Sequence, residues 1–273
     1  RSRGLGDVYK RQTDYRRLFF SVLKIVKDFE KSFGYRPKKI TVNCSHPQSK
    51  FHRIREVFQR NFPDKPITQR ELNSFCNQLI KDKISLEEKE IFTQVEEYVV
   101  DGQRGIVNPE RMVAGNIEII INVITIPVNI FNNIYSMFTE AGLELEDIVP
   151  EVIAKSSVYI EEESKSAGVM LLDLGWSKTK MAVFKNGILK NSMIFASGFD
   201  DSFDKFKNMF HLNDVEADRI LKHTMITEEN GFFIQAQQQE EIKEISIDNV
   251  KSILDKEFRK NLYYVRKLSL IHI

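Results

Sequence analysis

Cysteine is scarce: only Cys44 and Cys76 occur in 273 residues, too few for a disulfide framework and without metal-ligand spacing. A reducing cytosol is the expected setting. Long apolar runs are missing as well. The most apolar stretch, Asn116 to Val128, is broken by Glu118, Asn122, Thr125 and Pro127, so no segment reads as a bilayer-spanning helix. No signal-peptide pattern is visible. Neither sign of charge is in excess: 40 Lys plus Arg against 39 Asp plus Glu leave +1, too little to suggest nucleic acid as the main partner. The Gly-x-Ser-x-Gly elbow and the P-loop are both absent, which removes the common nucleophilic and Walker-type mechanisms. His46, His52, His211 and His223 are scattered, a pattern that fits structural or solvated roles better than metal ligation. What remains is 42% apolar and 29% charged, the composition of a soluble globular protein, with length for one large domain or two to three smaller ones.

The ends read differently from the middle. Arg1 to Gln12 and Leu268 to Ile273 lack helical or strand period, resemble translated sequencing-adapter sequence, and are set aside. Arg1, Arg3, Lys10 and Arg11 against Asp7 give the first segment +3, so the rest carries +1 minus +3, or −2. The remainder is then expected to be a fragment open at both termini.

From Tyr15 to Phe33, Leu18, Phe19, Val22, Ile25, Val26, Phe29 and Phe33 recur at three- and four-residue steps, the stripe of an amphipathic helix. Lys39 to Cys44 reads as a buried strand. Thr68-Gln69-Arg70-Glu71 is a capping box, and it predicts a helix from Gln69 to about Lys81. Ile91 to Val100 and Ile117 to Ile126 are β-branched runs, expected as an antiparallel pair around the Asp101-Gly102-Gln103-Arg104-Gly105 loop. A helix should start at Pro127 and stop at Gly142. A strand near Glu144 to Val149 and a helix from Pro150 to Ile160 follow. Gly168 to Asp173, Lys178 to Phe184 and Ile188 to Phe195 predict three antiparallel strands, with Asn186-Gly187 as a tight hairpin turn. Phe203 to Phe210 and Val215 to Leu221 mark two helices, the second capped by Asn213 or Asp214. A strand near Phe232 to Ala236, a solvated Gln-rich loop and a helix from Ser246 complete the pattern.

The segment with most chemical promise is Leu171 to Thr179 (LLDLGWSKT). An acid ending a buried strand, followed by a glycine turn, can aim backbone N–H groups at phosphate while the carboxylate holds Mg²⁺ through water. The same D-x-G also serves as a plain hairpin.

Taken in order, ITQRELNSFCNQL, EEYVVDGQRGIVNPERMVAGNIEIIINVIT, FNNIYSMFTEAGLELEDIV, GVMLLDLGWSKTKMAVFKNGILKNSMIFASGFDDSF and NDVEADRILKH resemble the bacterial cell-division FtsA family, over roughly Tyr15 to Lys267. Val100 to Gln103 with Asn108-Pro109 carries most weight, because it falls in the small domain that sets this family apart from other actin-like proteins. The resemblance implies an α/β, actin-like (ribonuclease H-like) fold. It places subdomain 1A at 13 to 62 and again at 146 to 167, the inserted α+β subdomain 1C at 63 to 145, 2A at 168 to 212 and 2B at 213 to 267. It implies ATP with Mg²⁺ at Asp173, Gly175, Trp176, Ser177, Thr179, Gly198 and Asp218, Asp173 being the metal residue, with weak or no hydrolysis. Trp176, Ser177, Lys178 and Lys180 depart from the family's D-x-G-G-G-T-T-D. As partners it implies the C-terminal tail of FtsZ, met by Lys222, Arg259 and Lys260, further copies of the chain in filaments, and the cytoplasmic membrane at the division site through a C-terminal helix beyond this sequence. The basic helix from Ser246 to Lys267 is read as a packed part of 2B, since Asp248, Asp255 and Glu257 interrupt its basic face. Two rivals are a PilM-like scaffold of type IV pilus assembly and a sugar-kinase-type enzyme.

Overall fold

The computed structural model describes residues 3–196, 198–226, 233–238, 241–256, 259 and 263, with side chains from Tyr15 onward except at 201, 223–226, 233–238 and 241–243. Two compact units emerge, one made of residues 1–171 and 181–193, the other of 172–180 and 194–273.

In the first unit, α1 (Arg3–Phe33) leads into β1 (Lys39–Cys44), which pairs in parallel with β6 (Glu144–Pro150). A parallel pair needs a crossover. Here the crossover contains α3 (Val128–Glu140), and between β1 and α3 lies a whole additional sheet. α1 is longer than the expected Tyr15 start, because nothing in Asp7 to Gln12 halts a helix once it propagates. Val22 and Val26 of α1 pack with Met137, Phe138, Ala141 and Leu143. Leu18, Ile25 and Phe33 of the predicted stripe stay more than half exposed, since a two-stranded sheet and one helix are too narrow to cover all of it. For the same reason β1 alternates exposed and half-buried residues and is not the buried strand its sequence suggests.

The additional sheet has the order β2-β5-β3-β4, from β2 (Lys50–Gln59), β3 (Glu88–Val100), β4 (Gln103–Ile106) and β5 (Asn116–Pro127). It takes in β2, so it begins ahead of the expected residue 63, and it ends at Pro127 rather than at 145. The pairing of β3 with β5 is antiparallel, as expected. Helix α2 (Gln69–Lys83) lies on one face, where Leu72 and Leu79 meet Phe58, Ile117, Ile119 and Ile121. The Thr68 hydroxyl accepts the Glu71 N–H, the first half of the predicted capping box. On the other face Ile124 packs with Val152, Ala182, Phe184 and Leu189. Burial on both faces explains why β5 reads as a nearly continuous apolar run.

Two of its polar interruptions, Thr125 and Asn122, donate to neighbouring carboxylates, while Asn122 Oδ1 stays buried without a hydrogen-bond partner among the described residues. Thr125 Oγ1 donates to Glu88 at 2.6 Å, and His52 Nε2 lies 2.8 Å from the same carboxylate, so this histidine does have a partner. Asn122 Nδ2 donates to Glu96 at 3.1 Å and to the Leu189 carbonyl at 2.9 Å. Glu96 also receives Arg53 and Lys190, each at 2.9 Å. Burial works to raise the Glu96 pKa, yet the hydrogen bonds from Arg53, Lys190 and Asn122 outweigh it and hold the group at about 2, down from 4.5. A depressed carboxylate pKa contributes stability that is present above the unfolded value and is lost as pH falls toward the folded one. Thermal unfolding should therefore show this unit losing stability between pH 4.5 and about 2, and Glu96→Gln should flatten that slope. An identical slope in the variant would remove Glu96 from the account.

The chain continues through α4 (Glu151–Tyr159) and α5 (Glu162–Ala167), the latter not expected, to a three-stranded sheet of β7 (Val169–Leu174), β8 (Thr179–Lys185) and β9 (Ile188–Phe195), in that order. Asn186 and Gly187 have φ of 56° and 73°, the left-handed pair a two-residue hairpin turn demands.

The second unit buries Phe206, Ala217, Ile220, Ile247 and Val250. Helix α6 (Asp200–Phe210) precedes α7 (Asp214–Ile226), whose Glu216 N–H is capped by Asn213 Oδ1 at 2.9 Å. β10 (Phe233–Gln238) and β11 (Glu241–Ser246) form an antiparallel hairpin. Gln237 and Gln238, read as part of a solvated loop, are thus paired strand residues, because a ladder uses backbone groups that glutamine offers like any other residue. Residues 247–256 are helical. The expectations for Lys260 and 268 to 273 lie outside the described residues, as do the side chains of His223 and of 1 to 12.

Candidate functional site

The candidate phosphate loop is the turn joining β7 to β8, and its own backbone closes it. The Gly175 N–H donates to the Lys178 carbonyl at 2.9 Å. The Gly175 and Trp176 carbonyls accept the N–H groups of Phe199 and Asp200, at 3.1 and 2.8 Å. These donors belong to the start of α6, so the turn caps a helix N-terminus, where orphan N–H groups otherwise need partners. Trp176 stands with its ring centroid 5.8 Å from Phe199 and 5.0 Å from Phe203. Gly198 is buried against the turn: a Cβ there would meet the Trp176 carbonyl oxygen at 2.1 Å. A Cβ on Gly175 would meet the Lys178 carbonyl oxygen at 2.8 Å. The sequence-predicted Asp173, Gly175, Trp176, Ser177, Thr179 and Gly198 thus fall on one hairpin and the segment docked to it. Ser177 is exposed and Thr179 is buried.

Asp173 departs from its expected role. Its Oδ2 lies 2.8 Å from Lys180 Nζ, and the two side chains are 18% and 10% exposed. Lys180 stands where the family pattern has its second acid. The carboxylate expected to hold Mg²⁺ is therefore engaged by an ammonium, and among the described residues no cluster of three or more His, Cys, Asp and Glu could hold a metal ion. The donor set does not fit magnesium.

Asp218 lies on α7 and takes Lys222 at 2.6 Å. Arg259 is held by Asp255 at 2.7 Å. Two of the three cations assigned to a partner are thus paired with an acid four residues earlier, a neighbour on the helix surface that proximity in the raw sequence does not display.

The sequence model of the SHS2 domain inserted in FtsA matches residues 49–125, the span of the β2-β5-β3-β4 sheet. The FtsA protein of Pseudomonas aeruginosa is 31% identical over 111 residues, covering 41% of this chain and 27% of that protein. That of Bacillus subtilis is 29% identical over 126 residues, covering 46% and 29%. That of Buchnera aphidicola is 24% identical over 186 residues, covering 67% and 42%. The chain thus spans well under half the length of these relatives. Among solved structures, the PilM-PilN type IV pilus biogenesis complex superposes with a TM-score of 0.52 over 90% of this chain and 64% of that one, at 10% identity, which shows the fold alone. No helix among the described residues is long and apolar enough to cross a membrane. The small sheet is thus matched to the SHS2 domain inserted in FtsA, the fold is actin-like, and the chain is similar to FtsA cell-division proteins over the stretches they share.

Proposed function

We propose that the chain works as an FtsA-type scaffold, which binds a nucleotide, assembles with copies of itself and tethers FtsZ polymers to the cytoplasmic membrane. One observation carries this reading: the SHS2 sheet is inserted between β1 and α3 of a parallel crossover. In this assignment α1, β1, α3, β6 and α4 belong to 1A, the sheet of residues 50 to 127 is 1C, the hairpin and α6 belong to 2A, and α7 onward is 2B. ATP would bind at the hairpin of Asp173 to Thr179, with Gly198 behind it and Asp218 toward the nucleoside, and would bias assembly by a shift of population.

The FtsZ tail would dock on 2B beside Lys222, Arg259 and Lys260. Exposed pairs such as Lys222 with Asp218 are worth little in water, so an acidic peptide can compete for these cations. Fluorescence anisotropy on the full-length gene product should show the double variant Arg259→Glu, Lys260→Glu binding an FtsZ tail peptide at least about fivefold more weakly, with a flatter salt dependence. Equal affinity and equal salt dependence would rule out this docking surface. The likeness to the PilM-PilN complex supports a second reading, a pilus-assembly scaffold, and binding of a PilN peptide in place of the FtsZ tail would favour it.

A further inference from the structure

The hairpin that should carry a metal carries its own cations. Between Asp173 and Lys180 there is one acid and there are two lysines, Lys178 and Lys180, a net charge of +1, whereas D-x-G-G-G-T-T-D brings two acids to the same turn. A hard divalent cation is held by oxygen donors with net negative charge. Here the one carboxylate accepts Lys180 Nζ at 2.8 Å, with both side chains largely buried. An ammonium donates hydrogen bonds and cannot bind a cation, but it does attract phosphate.

The turn is also held by contacts within its own chain. Its carbonyls take the first N–H groups of α6, its glycine N–H is returned to Lys178, and Trp176 rests on Phe199 and Phe203. The two roles a magnesium ion would have at this place, balancing Asp173 and fixing the turn, are both filled by the chain itself.

We propose that Lys180 stands in for the divalent cation at this hairpin, so that phosphate binds there through lysine charge and needs no magnesium. The inference rests on the nucleotide reading of the hairpin given above. Its ligand class is the polyphosphate chain, whether of ATP or of inorganic tripolyphosphate.

The test uses the full-length gene product and titrates a fluorescent ATP analogue, then inorganic tripolyphosphate as competitor, in EDTA and in millimolar MgCl₂. Affinity for the wild type should agree within about threefold between the two conditions, and tripolyphosphate should compete in both. Lys180→Asp, which restores the acid of the family pattern, should bind at least tenfold more weakly in EDTA and recover in magnesium. Lys178→Ala, at a less buried position, should weaken binding severalfold in EDTA and keeps the test available if Lys180→Asp does not fold. A tenfold loss of wild-type affinity in EDTA would overturn the inference while leaving the hairpin as the nucleotide site. Absence of binding in both conditions would overturn the nucleotide reading and this inference with it.

Discussion

Gly198→Ala should destabilise the second unit by about 3 kcal/mol, more than most single methyl insertions into a packed region. The added Cβ would sit 2.1 Å from the Trp176 carbonyl oxygen, 2.5 Å from its carbon and 2.7 Å from the Lys178 nitrogen. All three are backbone atoms, so no side-chain rotation can relieve the clash. Gly198 is not among the positive-φ residues, which leaves the penalty steric and not conformational. To make room, the turn must separate from α6, breaking the bonds from Phe199 and Asp200 to the Gly175 and Trp176 carbonyls. Differential scanning calorimetry should register a drop of roughly 12 to 24 °C in this unit, at about 4 to 8 °C per kcal/mol for a unit of fewer than 100 residues. Gly175→Ala meets one carbonyl oxygen at 2.8 Å at the tip of the turn, where a small shift suffices, and should cost about half as much. A melting temperature for Gly198→Ala within 1 °C of wild type would mean the turn does not dock on α6 as described.

Nothing in the segment Ser197-Gly198-Phe199 announces this packing. Gly198 could be matched to a family turn, but its neighbour at Trp176 is twenty-two residues earlier in the chain, and only the folded hairpin brings them together. The same limit explains Asp173. Its position at a strand end is legible from the β-period and the glycine, while its engagement by Lys180 depends on cross-strand placement, which a linear pattern does not display. Elements whose cause is local were legible. The Thr68 cap of α2 and the Asn186-Gly187 turn each rest on residues within three positions of one another. β2 was not legible, because Arg53, Arg55 and Glu56 dilute its apolar residues. Its alternation acquires meaning only beside β5, with which it pairs from Lys50 to Gln59. β11 was hidden for a related reason: Glu241, Lys243 and Glu244 mark a polar segment, and its partner strand is the glutamine run of β10. α5 is six residues long, too short for an apolar period to register.

Arg60 drew no notice in the sequence, yet its loss should have the largest effect on the SHS2 sheet. The residue follows β2, and its side chain is 1% exposed. Its guanidinium forks onto Glu71, with Nε and Nη2 at 2.9 and 3.0 Å from the two carboxylate oxygens, while Nη1 donates to the Lys65 and Ala114 carbonyls, both at 2.9 Å. One side chain thus joins the end of β2, the loop before α2, the first turn of α2 and the approach to β5. Arg60→Ala strands a carboxylate and two carbonyls, and removing one partner of a buried pair costs about 3 to 5 kcal/mol. Arg60→Lys should be nearly as harmful, since an ammonium on a flexible stem cannot reproduce the planar fork. Urea unfolding should report both as a lower midpoint with little change of slope. The pH dependence separates the ion pair from mere packing. Hydrogen bonding from Arg60 leads the causes that hold the Glu71 pKa below its ordinary 4.5, so the pair's contribution is present above 4.5 and fades as pH falls below it. The gap in stability between wild type and Arg60→Ala should therefore narrow at pH 3 relative to pH 7. A gap of the same size at both values would assign the loss to the cavity alone, and a wild-type midpoint in Arg60→Lys would show that the fork does not hold α2 in place.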